Sequence, residues 1–137
     1  MDSGLSPHPE IAPHRILHFH DFVYGRTTPY DDYSHGTHVT GIIGAKQIGI
    51  APECNLIALK ILDHHGNCSI ELFIEAIHWL LTHQSEYNIR IVNMSVGSNP
   101  SISRTEQILL NLWVSRLWEA GLIVCCSAGN NGPTRNT

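Results

Sequence analysis

Two periodicities alternate along the chain. Residues 15–24, RILHFHDFVY, form a short run of apolar and aromatic positions that predicts a strand. From His35 to about Ala45 the spacing of Val39, Ile42 and Ile43 predicts a helix with one apolar side. Residues 55–62, NLIALKIL, are almost continuously apolar, as expected of a strand covered on both faces. Ser69 is a suitable N-cap and Glu71 puts a negative charge in the first turn of the next helix. Phe73, Ile77, Leu80 and Leu81 continue it at helical spacing. A third strand is predicted over 89–96, IRIVNMSV. A further helix carries Leu109, Leu112, Trp113 and Leu117 and ends near Gly121, and a fourth strand follows over 122–128.

Strands alternating with helices imply βαβ units, right-handed crossovers and a largely parallel sheet. The fold class expected is α/β, a three-layer α/β/α sandwich with a mostly parallel sheet. Functional groups in such sheets gather beyond the carboxyl ends of the strands. Those ends carry Asn93-Met94-Ser95-Val96-Gly97 and Ser127-Ala128-Gly129-Asn130-Asn131-Gly132, while Asp2-Ser3-Gly4 opens the chain.

Composition narrows the function classes. The 137 residues suffice for one modest domain, and a formal charge of −4 gives no basic stripe for nucleic acid. No apolar run is long enough to span a bilayer, and no signal peptide is visible. Cys54, Cys68, Cys125 and Cys126 match neither a disulfide scaffold nor a paired CxxC zinc site. They read as free thiols, with Cys125 and Cys126 filling a core, and this favours a reducing, cytoplasmic compartment. A secreted origin stays open, since an upstream signal peptide would lie outside the sequence. Oligomeric state is not legible.

The stretch YSHGTHVTG, residues 33–41, places His35 and His38 three apart among small residues. Taken with the Asp2-Ser3-Gly4, Asn93–Gly97 and Ser127–Gly132 motifs, it resembles the subtilisin-like serine peptidases (subtilases), over nearly the whole chain. The resemblance implies a serine endopeptidase domain that hydrolyses peptide bonds through an Asp-His-Ser triad. A serine hydroxyl needs a neighbouring base, and an imidazole titrates near working pH; His35 matches that base. Asp2 matches the carboxylate that fixes its tautomer, and Asn130 the side-chain donor to the oxyanion. Ser95, Val96 and Gly97 match the segment that pairs with an extended substrate. Ser127, Ala128 and Gly129 would help line the pocket for the substrate side chain. The implied partner is a peptide or protein substrate, with no cofactor and no metal. The long calcium-binding loop that many secreted subtilases carry after the His helix is replaced by the short GAKQIGIAP, residues 44–52.

Other readings compete at several positions. His35 and His38 as a zinc pair lack the glutamate of HExxH and an evident third ligand. His38 reads as structural, and His64, His65 and Cys68 as a solvated turn. Asp31 and Asp32 read either as an acidic cleft wall or as ordinary solvated loop. Gly36, Gly41 and Gly44 cost a helix up to ~1 kcal/mol each, which suggests close approach to the sheet and to a second helix.

One element of the family pattern is missing: no Gly-Thr-Ser occurs, so the GTSxxxP nucleophile motif is not in this sequence. The expectation is a partial subtilase peptidase domain over 1–137 that is inactive alone. The alternative is a non-catalytic, peptide-binding relative or fragment. A central strand reduced to its last residues would leave neighbouring edges unpaired and the isolated chain prone to aggregation.

Overall fold

A computed structural model describes residues 1–97 and 102–130. After a short 3-10 turn, Pro13–Arg15, come β1 (Ile16–Asp21), α1 (His35–Gly44), β2 (Leu56–Lys60), α2 (Ile70–Tyr87), β3 (Ile91–Met94), α3 (Arg104–Glu119) and β4 (Ile123–Cys126). Every helix and strand expected from the periodicity is present, with the strands shorter at both ends. The helix starts have local causes. Ser69 accepts from the Leu72 N–H, and Ser103 forms a reciprocal capping box with Glu106.

The strands pair in parallel, β1 with β2 and β3 with β4, as two two-stranded sheets. The chain's first residues lie between them. Asp2 donates its N–H to Leu59 O (3.0 Å) and accepts from Ile61 N (2.8 Å), while the Met1 amine reaches Asn93 O (3.0 Å). Residues 1 and 2 thus occupy the position of a central strand, joined to β2 on one side and β3 on the other.

Side-chain alternation along β2 fixes the layers. Leu59 and Ile61 join Ala76, Ile77, Leu80, Val92, Met94, Leu117 and Leu122 in a core between the sheets and α2 and α3, with Ile57 packed against it. Leu56 points the other way, toward Gly44 at the end of α1. Helices therefore lie on both sides, giving the three layers. Each fully buried aliphatic side chain of that core contributes roughly 1.5–3 kcal/mol over its exposed state. The second face of β3 and β4 is not covered by the described residues: Ile91 is 61% and Ile123 55% exposed. Cys125, on that face, and Cys126, on the opposite one, are both exposed, so the expected core filling by these thiols is not found among the described residues. Burial at β4 depends on what covers it, and alternation within the strand carries no information on that. Among the described residues, no helix is long and apolar enough to cross a membrane.

Candidate active site

The site begins where β2 fixes the backbone of Asp2. With both its N–H and C=O held by the strand, the Asp2 side chain has a fixed origin. Its Oδ1 lies 2.7 Å from His35 Nδ1, at the first residue of α1. A carboxylate only accepts, so the neutral imidazole carries its proton on Nδ1 and presents its lone pair at Nε2. The His35 side chain is 40% exposed and that of Asp2 11%. The pair is thus a partly open base backed by a sheltered anion. It can take a proton from a hydroxyl or water at Nε2 while Asp2 stabilises the resulting imidazolium. The Ser3 N–H also donates to Asp2 Oδ1 (2.7 Å), and Oδ2 is buried without a partner among the described residues.

A second carboxylate holds the two halves of this pair together. Asp31 accepts from Ser34 N (2.9 Å), Thr37 N (2.8 Å) and Thr37 Oγ1 (2.7 Å), and so serves the free amides at the start of α1. It also accepts from Ser3 Oγ (2.8 Å), which in turn accepts from Gly36 N (2.9 Å). Burial acts to raise the Asp31 carboxyl. Hydrogen bonds from Thr37, Ser3 and Tyr33 outweigh it and hold the carboxyl below the usual carboxylate range. Ser34, the formal N-cap, is in the left-handed region (φ 69°) and makes no side-chain cap, which leaves the capping to Asp31. Asp32 meets the buried Lys60 Nζ at 2.6 Å. Both acids therefore serve the fold.

At the other end of α1 the buried Arg15 donates to Gly44 O (2.8 Å) and Cys54 O (2.9 Å), placing a cation at the helix C-terminus. Among the described residues, Gly36 and Gly44 are close to this frame and no glycine of α1 meets a second helix. A Cβ on Gly36 would sit 2.3 Å from Gly4 O, one on Gly44 2.9 Å from Arg15 Nη2, and one on Gly41 in open space. His38 is exposed. His64 and His65 stand on an exposed turn closed by Asp63, which accepts from His65 N and Asn67 N.

The carboxyl ends of β3 and β4 are also joined. Ser127 Oγ donates to Val96 O (2.8 Å), and Asn93 Nδ2 donates to Ser95 Oγ (2.8 Å). Ser95, Val96, Gly97, Ser127, Ala128 and Gly129 thus gather at one rim. Asn130 follows in an exposed bend, and no hydrogen bond among the described residues links it to Asp2 or His35. The structure brings Asp2 to His35 and the 95–97 segment to Ser127, and Met1, next to Asp2, is bonded to Asn93 of the second group. Sequence reading missed Lys60, Arg15 and the capping role of Asp31. A signal existed for Lys60, a charge inside an apolar strand, and for Asp31, a carboxylate just ahead of a helix start.

Known proteins are similar to this chain. The subtilase family model matches residues 1–137. The serine protease AprX of Bacillus subtilis (strain 168) is 34% identical over 148 residues, covering 100% of this chain and 33% of its own length. Subtilisin E of Bacillus subtilis (strain 168) is 33% identical over 144 residues, covering 100% of this chain and 35% of its own length. The crystal structure of a cold adapted subtilisin-like serine proteinase superposes with a TM-score of 0.78 at 27% identity, over 94% of this chain and 44% of that one. The chain therefore spans about a third of the length of these curated relatives. A carboxylate–imidazole pair set at the edge of parallel strands, in a sequence matched by the family along its whole length, is the basis for the assignment: the chain belongs to the subtilase family.

Proposed function

We propose that this chain supplies the acid–base half of a serine endopeptidase that cleaves peptide or protein substrates. His35 is the general base and Asp2 its orienting carboxylate. The observation that carries this reading is the 2.7 Å contact from His35 Nδ1 to Asp2 Oδ1, which leaves Nε2 without a partner among the described residues on a side chain that is 40% exposed. Asn130 is assigned as the side-chain donor to the oxyanion. Ser95, Val96 and Gly97, with Ser127, Ala128 and Gly129, form the rim against which an extended peptide pairs. A base without a nucleophile removes no useful proton, and no Gly-Thr-Ser occurs in this sequence. The chain by itself is accordingly inactive.

The test is a pair of assays on a peptide ester. The purified chain gives no inhibitor-sensitive turnover. A chimera that continues it with the serine-bearing remainder of a subtilase domain gives turnover, which His35→Ala and Asp2→Ala abolish and Asn130→Ala reduces by about 10²–10³-fold. A folded, inactive chimera that still binds peptide would favour the non-catalytic alternative. Turnover by the isolated chain would overturn the assignment of inactivity.

A further inference from the structure

Lys60 is the charged residue of a strand that is otherwise apolar, and it is 0% exposed. A buried ammonium is costly unless each of its protons finds an acceptor, and an aliphatic side chain in its place would pack as well or better. Its burial therefore calls for a role besides packing. Its three protons have defined acceptors: Ser3 O (2.6 Å), Asp32 Oδ1 (2.6 Å) and Leu62 O (2.7 Å). The Tyr30 ring lies 5.1 Å and the Tyr24 ring 5.9 Å from Nζ, so aromatic faces complete the surroundings.

Ser3 is the residue through which this arrangement reaches the site. Its N–H donates to Asp2 Oδ1, its Oγ bridges Asp31 and Gly36 N, and its C=O is the group that Lys60 holds. The next residue is Gly4, at φ 131°, where glycine puts up little resistance to rotation of the preceding peptide. A Ser3 carbonyl without a donor would be free to turn together with the Gly4 N–H, and Ser3, whose own N–H and Oγ hold Asp2 Oδ1 and Gly36 N, would lose the anchor on its far side. Asp32, from the loop ahead of α1, supplies the counter-charge, so the same ammonium ties the loop that leads into His35 to the loop that follows Asp2.

We propose that Lys60 is a positioning residue for the Asp2–His35 pair, acting through the Ser3 carbonyl and Asp32. This rests on the reading of that pair as the acid–base machinery, and the two can fail separately. The measurement is the tautomer of neutral His35, read from ring-nitrogen shifts of the full chain labelled with ¹⁵N-histidine. It is made at about pH 8.5, where a free imidazole is neutral, with the signal assigned by its loss in His35→Gln. In the unsubstituted chain the proton resides on Nδ1. In Asp2→Ala it moves toward Nε2, the preference of free imidazole. In Lys60→Met, compared at unchanged helical circular dichroism, it moves in the same direction, and in Asp32→Asn it does so to a smaller extent. A residue that only fills the core would not alter the tautomer of a folded chain. If folded Lys60→Met and Asp32→Asn both keep the Nδ1 proton while Asp2→Ala loses it, the proposal is overturned and the pair stands. Should Lys60→Met not fold, Asp32→Asn decides alone, and an undiminished Nδ1 signal in it rejects the proposal. An Asp2→Ala chain that keeps the Nδ1 tautomer overturns both readings.

Discussion

The two strand pairs have the same parallel pairing and differ in what surrounds them. Around β1 and β2, α1 covers one face and the core the other, and Leu59 and Lys60 are 2% and 0% exposed. Around β3 and β4 the described residues cover only the α2–α3 face, and Ile123 is 55% exposed. The first half also carries the polar network: Asp2, Ser3, Asp31, Asp32 and Lys60 are bound to one another or to α1. The two halves thus share their strand pairing and differ in enclosure, and the polar network belongs to the enclosed one. Low local dielectric strengthens those bonds and raises the cost of breaking any one of them.

The contrast can be broken or sharpened by substitution. Leu59→Ala, in the enclosed half, should cost about 2–5 kcal/mol in urea unfolding, because it leaves a cavity under α2. A loss no larger than that of a surface change would mean that the core is not shared as described. Asp31→Ala should cost about 1–3 kcal/mol by stripping the α1 N-terminus of its acceptor, with faster amide exchange at Ser34 and Thr37 as the local signature. The next effect is one of pH. His18 stacks on Trp79 at 5.0 Å, and burial, followed by the neighbouring His20 and His83, lowers its pKa below 6.5, against an opposing pull from Glu86. In the unfolded chain this group binds its proton more readily, so stability is intact above pH 6.5 and falls as the pH drops below it. The melting temperature should therefore decline on acidification from neutral, and His18→Gln should flatten that slope. Asp21, whose burial is outweighed by bonds from Tyr30 and nearby amides, has its pKa lowered from 3.8 and loses its contribution only in more acidic solution. The smallest effect belongs to the bare half: Ile123→Ala should shift unfolding by about 0.5 kcal/mol. A core-sized loss there would show that β4 is enclosed after all.

Much of the fold was legible because periodicity reports which faces meet apolar neighbours. The four strands and the helices from His35, Ser69 and the Leu109–Leu117 stripe all followed from it. Sheet order did not. Periodicity says that a strand is half or fully covered, never which strand lies beside it, so the separation into two pairs joined by Met1 and Asp2 was out of reach. The pairing of Asp2 with His35 came from motif resemblance, since the residues are far apart in the chain. Lys60 was hidden by its own context: in NLIALKIL a single lysine passes for a strand-edge charge unless its possible partners are sought among Asp31 and Asp32. The exposure of Cys125 and Cys126 was illegible for another reason, because an apolar strand reads alike whether or not anything packs upon it.

The near-contact of Gly36 with the strand loop sets a tolerance. A single added methyl would find Gly4 O at 2.3 Å and Asp2 Cβ at 3.1 Å. Relief requires the first turn of the helix to back away by roughly 1 Å, and an error of that size in reacting groups can slow chemistry by about 10²-fold. One hydrogen atom at Gly36 is thus the shim that sets how far the imidazole stands from its carboxylate, and alanine would be a drastic replacement there although it is the best helix former of all.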